Sequence, residues 1–171
     1  MRARTVLERS LVGPAGEHFV LYRLYRMGLM AGFPPPGAPY VDILVLSPDE
    51  RVVASLQVKT RTYGRDQGWH MRRKHEGISA PHMLYVFVDL EPDPPVTYVV
   101  PSAVVADVLR KSHVAWLKAP GVGGRAHQDH EMRRVMPDYG HPVEDYEPGW
   151  LNQYRERWDL VSKAAQPVKP S

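Results

Sequence analysis

The stretch that decides the fold is Tyr40-Val41-Asp42-Ile43-Leu44-Val45-Leu46, followed across Ser47-Pro48-Asp49-Glu50 by Arg51-Val52-Val53-Ala54-Ser55-Leu56-Gln57-Val58-Lys59-Thr60. Two runs rich in Val, Ile and Leu, joined by turn-forming residues, predict a β-hairpin with strands over 40–46 and 51–60. With a loop over 48–51, Ser47 faces Val52 and Asp42 falls directly opposite Gln57. Such a pair lies roughly 5 Å apart on one face. Side chains alternate along a strand, so Gln57 and Lys59 share that face. Val52, Ala54, Leu56 and Val58 take the other, which must be core. Asp42 is the one charge in its run, and a buried carboxylate is costly unless it is paired or binds a cation. A structural ion pair with Lys59 and a cation site both satisfy that requirement.

Upstream, Gly13-Pro14 opens a helix over 15–27, with Gly28 as its C-cap. Residues 1–12 form a short preceding element. Glu17 lies on the same helical face as Val20, Leu21, Leu24 and Gly28. A first-turn acid also interacts with the helix dipole, so Glu17 has a structural explanation beside a functional one. Downstream, strands are expected over 83–90 and 96–100, a helix over 101–111, a loop-rich stretch to Gly149 and a last helix over 150–163. This order predicts an α/β (α+β) fold: a mixed central sheet flanked by helices. A single domain is expected over 1–165, with its core at about 13–112, an extension over 113–165 and a flexible tail over 166–171.

The 171 residues suffice for one core, and the 24% charged content is that of a globular chain. Without cysteine, the chain has no disulfide, zinc–thiolate site or thiol nucleophile, and a cytoplasmic location is the expectation. No apolar run approaches the roughly 20 residues that cross a bilayer, so no membrane partner is expected. The net charge of +3 is mild, but its distribution is uneven. Between Lys59 and His75 six basic residues face the single acid Asp66. Between His127 and Glu147 six acids face Arg133 and Arg134. A basic segment of this kind attracts polyanions, and it is equally the composition of a solvated loop. His127 and His130 match no zinc spacing, and Trp116, Trp150 and Trp158 read as packing.

Glu17 on the first helix, Asp42 on a strand, and Gln57-Val58-Lys59 on the next strand together resemble the PD-(D/E)XK nuclease superfamily. The segment Lys74-His75-Glu76, with the YVFVDL strand and the VVPS turn after it, resembles a group of bacterial members without an assigned function. The likeness covers roughly residues 13–112 and departs at two points. Val41 precedes Asp42 where the motif has proline, and Gln57 stands at the acidic position. The resemblance implies Mg²⁺- or Mn²⁺-dependent hydrolysis of nucleic acid, DNA first among the candidates. It implies metal ligation by Asp42, the Gln57 amide oxygen, the Val58 carbonyl and Glu17, with Lys59 at the attacking water or the phosphate. Arg61, Arg65, Arg72, Arg73 and Lys74 would hold flanking phosphates, with Tyr63 and Trp69 as stacking candidates. A homodimer is a further expectation, since many members act as dimers. The alternative is a degenerate nucleic-acid-binding or protein-interaction module that lost its activity through Gln57.

Overall fold

The expected hairpin is present, with strands β2 (Ile43–Leu46) and β3 (Val52–Arg61) antiparallel. The computed structural model describes residues 7–48, 51–62 and 68–165, the side chain of Val122 excepted. Arg65, Tyr63 and the tail over 166–171 lie outside the described residues. The register pairs Ile43 with Leu56, which carries Asp42 to the position opposite Gln57, as the spacing requires. Nearer the turn the expectation fails: Leu46, not Ser47, pairs with Val52, and a bulge lies between Val45 and Leu46. The Ser47 N–H donates to the Arg51 carbonyl at 2.8 Å, so the turn closes one residue tighter and the strand absorbs the difference. Val52 is thereby turned out of the core, at 58% exposed. The first strand also starts late, because Tyr40 has φ of 61° and breaks the extended backbone.

Strand β5 (Met83–Asp89) pairs parallel with β3, and β6 (Val96–Pro101) antiparallel with β5. The short edge strand β1 (Met30–Gly32) lies beside β2. The central sheet is therefore mixed, in the order β1-β2-β3-β5-β6. All seven residues of β5 are buried, as befits a strand covered on both faces. Helix α1 (Arg9–Arg26) covers one face: Val20, Leu21 and Leu24 pack on Ile43, Leu56, Val58 and Val86. Helix α2 (Ser102–Lys118) covers the other, where Val105, Val108 and Leu109 meet Tyr85, Phe87 and Trp69. Together these give the expected α+β architecture.

Several elements differ from the sequence reading, among them the unexpected edge strand β1 and helix α2, which runs to Lys118 rather than 111. Helix α1 begins before Pro14, which lies inside it and cannot donate to the Ser10 carbonyl. A second sheet of two strands, β4 (Trp69–Arg72) and β7 (Met132–Val135), replaces part of the expected loops. The expected last helix is a 3₁₀ turn (Trp150–Tyr154) and a short helix α3 (Asp159–Ala164). Tertiary contacts win there. Arg155 bridges to Tyr98, and Glu156, at φ of 53°, accepts hydrogen bonds from the Thr97 N–H and hydroxyl, each at 2.8 Å. No helix among the described residues is long and apolar enough to cross a membrane.

Candidate active site

Asp42 lies one residue before β2, where the ladder with β3 would otherwise continue. Its N–H donates to the Leu56 carbonyl at 2.9 Å, and its Oδ2 accepts the Val58 N–H at 2.7 Å. The side chain thus takes the place of a backbone acceptor and is held in one orientation. In an extended strand the N–H and C=O of one residue point to the same side. The Val58 carbonyl is therefore directed toward the Asp42 side of β3. Asp42 is only half-buried, and among the described residues it forms no ion pair with Lys59, so the structural explanation by that pair is not the one adopted.

Gln57 is buried, and its Oε1 has no hydrogen-bond partner. Buried polar side chains are as a rule hydrogen-bonded to protein or to ordered water, and here the described residues supply no partner. Gln57 and Lys59 register with Tyr85 and Phe87 of β5, which places them on the face opposite Leu56 and Val58. The half-buried Lys59 has its pKa lowered, by burial first, then by Lys74 and Arg72, against the pull of Asp42 and Glu17. Glu17 projects from the first half of α1, where Gly16 packs on Thr60. Burial, and then the charge of Asp42, raise the Glu17 pKa. These mutual fields put Glu17, Asp42 and Lys59 in one electrostatic neighbourhood, at the rim where α1 crosses β3.

The basic residues divide. Arg61 is committed to Asp89 at 2.6 Å and lies 4.2 Å over the Trp69 ring. Arg73 is bound by Asp129 and Glu131. Arg72 and Lys74 are exposed, and both act on Lys59 through their charge. Trp69 is fully buried and cannot stack on a base. Tyr40, assigned by its sequence to a buried strand, is instead 41% exposed beside Asp42, with the Lys74 ammonium 4.7 Å from its ring centroid.

Two further residues stand in this neighbourhood: Tyr85, which the sequence gives as strand core, and His75, whose place in the basic loop predicts phosphate contact or solvent exposure and which is instead buried. His75 is buried in the 3₁₀ turn Arg73–Gly77, and its Nδ1 lies 3.0 Å from both the N and the O of Arg72. Burial pushes its pKa down to about 4, so it is neutral at pH 7. Tyr85 is raised by burial and by Asp42, and stays a hydroxyl donor. The only advance signal was the identity of the residue paired with Gln57, which requires the parallel register. Elsewhere, a cleft of about 350 Å³ lined by His113, Trp116, His130 and Tyr139 includes none of these residues. His127 stacks on Trp116 at 4.0 Å, a packing role.

Among the described residues, no three His, Asp or Glu side chains gather to hold a metal ion. Two carboxylates, an amide oxygen and a backbone carbonyl belong to this neighbourhood, Glu17 through the field it shares with Asp42, and Gln57 and Val58 through the strand beside Asp42. These are hard oxygens of the type Mg²⁺ and Mn²⁺ accept, and the orphaned Gln57 Oε1 is a donor in want of such a partner. Oxygens of this kind suit a divalent cation by their chemistry, with less charge than three carboxylates would give.

No protein-family model matches the chain, and no curated protein does. Among solved structures, a bacterial homing endonuclease superposes with a TM-score of 0.52 at 13% sequence identity, over 93% of this chain and 97% of that one. The likeness is one of fold.

Proposed function

We propose that the chain is a metal-dependent nuclease that hydrolyses phosphodiester bonds of nucleic acid, DNA in the first place, at the Glu17/Asp42/Gln57/Lys59 site, on a fold of the PD-(D/E)XK type. The observation that carries this reading is the Asp42 carboxylate fixed on the Val58 N–H beside a buried, unpartnered Gln57 oxygen. Asp42, Gln57 Oε1 and the Val58 carbonyl would hold Mg²⁺ or Mn²⁺, with Glu17 closing the shell directly or through water. When bound, the cation polarises phosphoryl oxygens and stabilises the charge that develops on them. Lys59, kept among acids and partly out of water, holds a proton toward the same oxygens and orients the attacking water. Arg72 and Lys74 hold a flanking phosphate, contacts that set position without reading sequence. The exposed ring of Tyr40 offers a stacking surface beside them.

A second reading, a binding module without catalysis, draws on the neutral Gln57. Incubation of plasmid DNA with Mg²⁺, Mn²⁺ or EDTA separates the two. Nicking or linearisation that needs the metal and is lost in Asp42→Asn supports the nuclease. Salt-sensitive binding without cleavage at any metal concentration supports the module.

A further inference from the structure

Gln57 Oε1, Tyr85 Oη and His75 Nε2 are all buried without a hydrogen-bond partner. They belong to one patch. Gln57 and Tyr85 are register partners on adjacent parallel strands, so both side chains leave the same face of the sheet. The His75 ring meets Tyr85 edge-on, with centroids 6.1 Å apart. Its Nδ1 is tied to the Arg72 backbone, which turns Nε2 away from that tether. One bound water makes about three hydrogen bonds.

An amide at this position has a need that a carboxylate does not. A carboxylate presents two equivalent oxygens, whereas an amide presents one oxygen and one NH₂. Turned the wrong way, Gln57 would offer two donors to a cation. A hydroxyl donor behind the amide oxygen uses one of its lone pairs, leaves the second for the cation and keeps the NH₂ turned aside. We infer that Tyr85 and His75 are positioning residues that fix the orientation of the Gln57 amide, through hydrogen bonds to its oxygen carried by a shared water. The inference rests on the reading of Asp42 and Gln57 as cation ligands.

The test is a double-mutant cycle on Mn²⁺ affinity, read by electron paramagnetic resonance of free Mn²⁺ with the intact chain, no DNA and no activity measurement. Tyr85→Phe should weaken Mn²⁺ binding about tenfold, the usual cost of removing an outer-shell partner. In the Gln57→Glu background, where both oxygens are equivalent, the same change should cost less than about threefold. A merely structural role for Tyr85 would give equal losses in both backgrounds, and that result overturns the inference, as does an unchanged affinity in Tyr85→Phe. Should Tyr85→Phe fail to fold, His75→Gln carries the same expectation and the same refutation. Absence of Mn²⁺ binding by the unmutated chain, or binding indifferent to Asp42→Asn, would instead defeat the reading of the site itself.

Discussion

Gly16 is where the account is most exposed to a simple substitution. A Cβ added there would lie 1.9 Å from Thr60 Oγ1, 2.8 Å from Cγ2 and 2.9 Å from Cβ. Rotating Thr60 about χ1 can carry both γ atoms aside but leaves its Cβ in place. The helix must then move off β3 by about half an ångström to regain ordinary contact. Overpacking of this kind costs roughly 1–3 kcal/mol. Replacing glycine in a helix returns about 1 kcal/mol. Gly16→Ala should therefore destabilise by a net of up to about 2 kcal/mol, a fall in Tm of up to about 8 °C for a chain of this size. Because Glu17 is the next residue, the same shift should weaken Mn²⁺ binding. Urea unfolding and Mn²⁺ titration of Gly16→Ala, Thr60→Ala and the double variant provide the assay. Thr60→Ala should be near neutral alone, since the Thr60 hydroxyl is buried without a partner, and should restore only the part of the loss that the γ atoms cause in the double variant, because alanine keeps the Cβ 2.9 Å away. If Gly16→Ala is more stable than the parent, the close approach of α1 to β3 is not as described, and the placement of Glu17 falls with it.

The remaining predictions concern charge and burial. Gln57→Glu adds a charged ligand and should tighten Mn²⁺ binding by about tenfold in calorimetry; weaker binding would remove Gln57 from the ligand set. The Lys59 ammonium deprotonates below the 10.5 of an ordinary lysine, so the alkaline limb of the activity profile should fall below that pH and move upward in Lys59→Arg if the variant retains activity. Because the folded-state value lies below the unfolded one, the unfolded chain holds more protons in the window between them, and Lys59 should make stability rise with pH there. Glu156→Ala leaves the Thr97 N–H and hydroxyl buried without an acceptor and should cost about 2–4 kcal/mol in urea unfolding. Burial pushes the Glu156 pKa up, but the hydrogen bonds from Thr97 and the Arg23 ion pair outweigh it and leave the value lowered. Its contribution is therefore complete above the ordinary carboxylate range and is lost as pH falls through the lowered value.

The central hairpin was legible because its signal is local. Alternation fixes which β3 residues face the core, and a short turn limits the registers to a few. The pairing of Asp42 with Gln57 could be read even though Ser47 and Val52 were mispaired, since the bulge between Val45 and Leu46 absorbs the difference before the site is reached. Pairings between distant segments were less visible. The β4–β7 ribbon joins Trp69 to Val135, four-residue strands too short to stand out against the loops around them. The break after Tyr154 follows from Thr97, nearly sixty residues earlier, taking Glu156 as its acceptor. At the site, the acids and the lysine could be read from the places where charge interrupts an apolar pattern. Tyr85 and His75 could not: a tyrosine in an apolar strand reads as core, and only the parallel register brings it beside Gln57. The division of the basic segment was equally hidden, because Arg61 and Arg73 find their acids, Asp89 and Asp129, on other elements.

The most direct measurement is the anomalous difference density of a crystal of the chain soaked in Mn²⁺. The account predicts one peak within about 2.2 Å of the Asp42 carboxylate, a first-row divalent ion's reach to a hard oxygen, with Gln57 Oε1 and the Val58 carbonyl also in its shell. A Mn²⁺ peak elsewhere on the chain, with the Asp42 carboxylate still bound only to the Val58 N–H, would contradict it.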